Sequence, residues 1–268
     1  MKQKQLFVLA TFMSIALLFN IGCNNSQNPV SPNDNNSPGR VSMMSKYSSS
    51  PVTGLSKSGS VQAIDSIEII SARVVLKDVK LEGTEKEHEN DKSVSKSKID
   101  CRDEVNFKAG PFVLNLNLSG AIQQVTVADI PLGTYKKIKF KIHSINQSDI
   151  DSLSFSEQLQ FTDFIADGGY SIIIEGNIYE NGTPTPFTFK SSLNAVMEIE
   201  FLPVFVVDST NTNPNLTLEI SSDTWFKSHD GSLLDPNDQQ NNRKIEENIK
   251  RSVQVYKDCD RDGHKDRD

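Results

Sequence analysis

The 268-residue chain is poor in the residues that most often carry chemistry: three cysteines, one tryptophan and four histidines, with no basic block anywhere. Three cysteines are too few for a disulfide scaffold or a cysteine-only zinc site. A formal charge of −7 argues against nucleic acid as a partner, because lysines and arginines that neutralise phosphates carry such binding. His88, His143, His229 and His264 form no i, i+4 pair, and neither H-E-x-x-H, G-x-S-x-G nor a Rossmann glycine pattern occurs. Past residue 22 no apolar run reaches transmembrane length. Helical periodicity is missing until the last thirty or so residues. The apolar share, 36% with a further 14 glycines, is a little under the usual ~45–50%, and the deficit falls in particular segments.

What is present begins with a leader. Lys2 and Lys4 precede an apolar stretch from Leu6 to Ile21, the layout of a secretory signal over residues 1–22. The stretch ends at Gly22-Cys23, which resembles the cleavage box of bacterial lipoproteins, although Asn20 stands where that family usually carries Leu, Val or Ile. The resemblance implies a diacylated Cys23, hence a lipid anchor rather than a span. Asn24 follows the cysteine where some enterobacteria place the Asp that retains a lipoprotein in the inner membrane, so the outer membrane is the expected location. Asn24 to Pro38 is rich in Asn, Ser and Pro, and Ser/Lys/Gly-rich sequence continues to about Ser60. Such composition does not offset its ordering entropy, and residues 23–62 read as the lipidated cysteine with a disordered tether.

From Ser66 the pattern is β. Phe112, Leu114, Leu116 and Leu118 alternate with Asn115 and Asn117; Ile138, Phe140 and Ile142 alternate with Lys137, Lys139 and Lys141; Leu193 to Phe201 and Leu216 to Ile220 alternate again. Leu159 and Phe161 read as the start of another strand, and Asn181-Gly182 is a hairpin signal. Short strands punctuated by turns predict an all-β, antiparallel sandwich of Greek-key or transthyretin-like type over 63–228. A charged insert, Glu82 to Glu104, reads as a solvated loop. Ile245, Ile249, Val253 and Tyr256 recur at helical spacing, so 229–256 reads as a linker with one short helix from about Asn242 to Tyr256.

Ile67-Glu68-Ile69-Ile70 through Leu76-Lys77-Asp78-Val79, Leu132-Gly133-Thr134-Tyr135-Lys136-Lys137-Ile138 and Gly168-Gly169-Tyr170-Ser171-Ile172 give residues 63–225 a resemblance to secreted bacterial lipoproteins with a β-sandwich domain of unknown function. These are packing and turn motifs, and the family implies no catalytic residues.

The most chemical segment is the end, 257–268. Asp258, Asp260 and Asp262 alternate ahead of Gly263 and His264, with Asp266 and Asp268 continuing the series. Carboxylates at loop positions one, three and five with glycine at six suit a hard cation such as Ca²⁺, with His264 offering its carbonyl. The spacing is similar to the aspartate-rich calcium repeats of thrombospondin type 3. The twelfth position falls beyond Asp268, and a solvated acidic tail is the competing reading. Outside the cytoplasm Cys101 and Cys259 would pair; two free thiols are the alternative. His143, on the lysine face of its strand, is expected in solvent. Trp225-Phe226 would close a core or present an aromatic platform to a glycan or protein. Asp149/Asp151 and Asp163/Asp167 are carboxylate pairs, but glycoside hydrolysis needs a set separation in a cleft. The expectation is therefore a non-catalytic envelope protein, held to the membrane by lipid, that binds a protein or glycan partner or serves a structural role. A hydrolase of envelope or extracellular glycans is the alternative.

Overall fold

The computed structural model describes residues 38–49, 52–53, 64–84, 104–210 and 214–266. The signal segment, Cys23, Cys101 and Asp268 lie outside them, and so do residues 85–103 of the charged insert. In chain order the strands are β1 (Gly39–Ser48), β2 (Val52–Thr53), β3 (Ser66–Gly83), β4 (Glu104–Asn115), β5 (Gln123–Ile130), β6 (Gly133–Ile142), β7 (Ile172–Glu180), β8 (Thr183–Ser191), β9 (Ala195–Val207), β10 (Asn215–Ser221) and β11 (Val253–Lys257). The α-helices are α1 (Gln147–Ile150), α2 (Phe155–Gln158), α3 (Thr162–Ile165) and α4 (Asn242–Arg251).

The strands form two sheets. One has the order β11-β10-β1-β5; the other runs β8-β7-β3-β6-β9, with β2 and β4 also paired to β3. The long β3 takes β7 along its first half (66–74) and β6 along its second (76–83). Every strand pair is antiparallel except β1 with β10, which is parallel. The mainly β, two-sheet expectation holds, with that one parallel ladder as the departure. Asn181 and Gly182 join β7 to β8 with φ of 51° and 75°, the left-handed pair a tight hairpin requires.

The alternating apolar residues of both sheets meet in one core. Val41 and Met43 of β1, Leu216 and Leu218 of β10, Leu76 and Leu81 of β3, and Ile138, Phe140 and Ile142 of β6 are all buried in it. Trp225 and Phe226 are fully buried there, so the pair closes the core and is no surface platform. Trp225 Nε1 donates to Ser252 Oγ at 2.8 Å, and its ring meets Tyr47 edge-on at 6.5 Å. Trp225→Ala empties a large dry site and is expected to cost about 3–5 kcal/mol. Chemical denaturation followed by circular dichroism reads the loss.

Four sequence expectations are corrected. Residues 39–48 belong to no tether: β1 is an inner strand, and Val41, Met43 and Tyr47 are buried. Its apolar residues sit at alternate positions, spaced widely enough by Ser, Lys and Arg to pass for a polar stretch. Leu159 and Phe161 do not begin a strand. They lie in a run of short helical turns over 147–168, set by the reciprocal caps of Asn146 with Asp149 and Ser154 with Glu157. Phe161 and Phe164, three apart, pack with Ile145, Ile150, Val75 and Ile173 in a second, smaller cluster. The C-terminal helix ends at Arg251, and Val253 and Tyr256 fall instead in β11. Ser252 makes the break: it accepts from Trp225 and donates to the Ile249 carbonyl at 2.7 Å. Lastly, the insert does not begin in solvent. Glu82 is the last residue but one of β3, 5% exposed.

Glu82 is held by lysines on β6: Lys136 at 3.0 Å, Lys137 at 3.5 Å, and Lys139. Burial pushes its carboxyl up, but hydrogen bonds from Lys139 and Lys136 and the charge of Lys137 outweigh that and hold it at about 2. The folded value lies below the unfolded one, so its contribution is complete above about pH 5 and lost as pH falls toward 2. Glu82→Gln is therefore expected to flatten the acid limb of the stability-versus-pH curve, read as midpoints of urea unfolding between pH about 2 and 6.

Candidate metal centre

The outer face of the four-stranded sheet carries a line of polar side chains that water does not reach. Ser42, Asn215, Thr217 and Asp258 are each at most 4% exposed. Ser42 Oγ donates to Asn215 Oδ1 at 2.7 Å, Asn215 Nδ2 reaches Thr217 Oγ1 at 3.4 Å, and Thr217 Oγ1 donates to Asp258 Oδ2 at 2.6 Å. Asp258 follows β11 directly, and its own N–H extends the ladder to the Asn215 carbonyl at 3.2 Å.

Asp258 thus ends the line as a fully buried carboxylate. Its Oδ2 also accepts from the Gly263 N–H at 3.1 Å, whereas its Oδ1 has no hydrogen-bond partner. Among the described residues none forms an ion pair with it. A buried carboxylate with an unsatisfied oxygen and no counter-charge is unfavourable in its charged form unless a proton or a cation compensates it. One oxygen each from Asp258, Asp260 and Asp262 lies within 4.8 Å of the others, with Asp260 and Asp262 exposed. This group could hold a metal ion.

The loop that brings the three together is closed by its own side chains. Asp260 Oδ1 accepts from the Asp262 N–H at 3.3 Å, and Asp262 Oδ1 from the His264 N–H at 2.7 Å. Asp266 Oδ2 accepts from the Cys259 N–H at 2.8 Å, while the Asp266 N–H donates to the Lys257 carbonyl. Asp266 therefore closes the base of the loop and stands outside the converging group. His264 and Cys259 are exposed.

The tail is also packed down. The Gly263 carbonyl accepts from Lys46 Nζ at 2.6 Å and from Tyr256 Oη at 2.8 Å. Gly263 has φ of 76°, and a Cβ there would meet Ile122 Cδ1 at 2.5 Å and Lys46 Cδ at 3.1 Å. Both the backbone and the close approach require glycine. The loop so crosses the sheet from β11 toward β1 and β5. Burial pushes the Tyr256 hydroxyl well above its ordinary value, and the nearby carboxylates of Glu219, Asp258 and Asp262 add to this.

The remaining sequence candidates are dispersed. Asp149 is turned to Lys77 at 3.0 Å and to His143 at 3.4 Å. Burial opposes ionisation there, but Lys77 leads the contacts that lower its value. His143 is half-buried against that carboxylate rather than free in solvent. Asp163 pairs with Arg73 at 2.8 Å. A cleft between β9 and β11 is lined by Glu200, Phe201, Leu202, Pro203 and Tyr256 with Lys265 and Asp266 of the tail.

Ser42, Asn215 and Thr217 escaped the sequence reading. In Asn215-Leu-Thr-Leu-Glu219 the polar positions look like an ordinary solvent face. Only the folding of the tail across that face shows them to be covered. No family model, curated protein or solved structure matches the chain, so its resemblance to secreted lipoproteins rests on the packing and turn motifs alone.

Proposed function

We propose that this is a non-catalytic protein of the cell envelope, anchored by lipid on Cys23 on the outer membrane. Its β-sandwich is a binding or structural body for a protein or glycan partner, and Ca²⁺ closes its C-terminal loop. The observation that carries the metal reading is the buried, half-satisfied carboxylate of Asp258 converging with Asp260 and Asp262. All-oxygen ligands favour a hard cation, and three carboxylates, two of them open to water, belong with extracellular sites of Kd about 10⁻⁴–10⁻³ M. The cation would bind the tail to the four-stranded sheet. The leader, the Gly22-Cys23 junction and the polar residues that follow support the anchor.

Calorimetric titration of Ca²⁺ into residues 24–268, stripped with chelator, tests the metal reading. One site is expected, and it is expected to vanish in Asp260→Asn/Asp262→Asn, whose exposed side chains leave the fold intact. An unchanged isotherm in that variant would sink the assignment. Labelled palmitate incorporated at Cys23, and lost in Cys23→Ser, tests the anchor separately.

A further inference from the structure

β4 and β5 stand side by side, and among the described strands each pairs on one side alone, β4 with β3 and β5 with β1. Both are bulged at the same place. On β4, Ala109 and Gly110 lie opposite Asp78, between the pairs Lys77–Pro111 and Val79–Lys108, and Gly110 takes φ of 75°. On β5, Val125 is the extra residue between the pairs Met43–Thr126 and Met44–Gln124. Bulges interrupt a ladder and re-aim side chains, and they recur next to binding sites. Here they flank a cavity of about 330 Å³, bordered on a third side by Leu153, Glu157 and Gln160 of the helical turns. That volume falls within the ~300–1,000 Å³ of small-molecule sites.

The groups that line the cavity carry the chemistry of its ligand. Ser45 is 4% exposed, and its hydroxyl has no hydrogen-bond partner among the described residues. A buried hydroxyl needs one. Around it stand four primary amides, Asn115, Gln123, Gln124 and Gln160, whose side chains also make no hydrogen bond with the described residues. Each amide offers donors and an acceptor in one plane. The two charged residues of the lining are opposite in sign and already engaged. Lys108 Nζ lies over the Phe112 ring at 5.0 Å, and Glu157 Oε2 accepts from the Ser154 N–H at 3.0 Å and from its Oγ at 2.6 Å. Uncharged donor–acceptor groups without a spare charge select a ligand dense in neutral hydroxyls. Phe112 and Leu153, both partly buried, supply apolar surface for the C–H side of a sugar ring. An extended peptide fits less well, because strand addition needs a continuous free edge and the bulges break both edges where the cavity lies.

We propose that the cavity between β4 and β5 binds a neutral saccharide, held by Ser45, Asn115, Gln123, Gln124 and Gln160. The proposal chooses the glycan of the binding-body reading as partner and rests on that reading. The test is calorimetric titration of the full chain, in a sugar-free zwitterionic detergent, with neutral tetrasaccharides of glucose, mannose, galactose and N-acetylglucosamine. A tetragalacturonate is the charged control. A neutral sugar is expected to bind saturably, and the acidic one at least about tenfold more weakly, because its carboxylates would be desolvated without a free cation to meet them. Gln123→Ala/Gln124→Ala/Gln160→Ala is expected to weaken the neutral sugar at least about tenfold, through the loss of several hydrogen bonds. Thr185→Ala, on β8 across the seven-stranded sheet, leaves binding unchanged. All four positions are exposed, and a thermal melt checks that each variant is folded. Undiminished binding in the triple variant would overturn this site and leave a glycan partner in place elsewhere. No saturable binding of any of the neutral sugars would overturn the saccharide itself and leave a protein as the partner. Cleavage of the sugar, lost in the triple variant, would support the site and sink the non-catalytic reading instead.

Discussion

A chain shortened to start at Ser49 is expected to lose its cooperative fold, whereas one starting at Pro38 keeps it. Residues 39–48 form the inner strand β1, parallel to β10 on one side and antiparallel to β5 on the other. Removing them takes Val41, Met43 and Tyr47 from the core. It also leaves the buried Asn215 without Ser42, and Ser222 without its 2.6 Å bond to Tyr47. Losing each large core side chain costs about 2–5 kcal/mol. Three such losses, with two open ladders, exceed the ~5–15 kcal/mol that holds a typical domain together. Thermal unfolding by circular dichroism separates the outcomes. A sigmoidal transition in the shorter chain at the temperature of the longer one would return this segment to the tether.

The second large effect concerns Asp258. Asp258→Asn keeps an oxygen for Thr217 and the Gly263 N–H but removes the buried charge. In chelator the variant is expected to be more stable than the parent, because the amide nitrogen that replaces Oδ1 is also without a partner but carries no charge, and burying a charge costs more than burying a neutral polar group. In calcium at about 100 times Kd the parent gains about 2.7 kcal/mol, or roughly 5–10 °C in Tm at this chain length, and the variant gains nothing. The two melting curves should therefore change order between chelator and calcium. A variant that still rises with calcium would place the ion elsewhere. One that falls below the parent in chelator would mean that the Asp258 charge is compensated without a metal.

The β architecture was legible because alternation survives wherever one face is buried. Ile138, Phe140 and Ile142 set against Lys137, Lys139 and Lys141 name both faces of β6 without a structure, and Asn181-Gly182 names the turn between β7 and β8. Alternation failed where the residues between carry no charge contrast. In Val41-Ser-Met-Met-Ser-Lys-Tyr47, Ser42 on the outer face is covered and Ser45 stands among the apolar positions of the core face, so the strand looked like linker. It also failed at Val253 and Tyr256, where successive spacings of four and three after Ile249 fit a helix and an interrupted strand equally well. The carboxylate series of the tail was readable as a ligand pattern. Which carboxylates converge was not, because that depends on Thr217, some forty residues earlier, and on the packing of Gly263 against Ile122 and Lys46.

The central claim is that the tail is a cation-closed part of the sandwich rather than a charged end. Amide hydrogen exchange at Gly263 and His264, measured on residues 24–268 in chelator and again in excess calcium, tests it most directly. Both N–H groups are bonded to carboxylates of the site, Asp258 and Asp262, and opening of the loop exposes them together. Calcium is expected to slow their exchange by about 100-fold at 100 times Kd, while amides of β3 in the other sheet change far less. Exchange at the unprotected rate in both conditions, with the β3 amides protected, would contradict the claim.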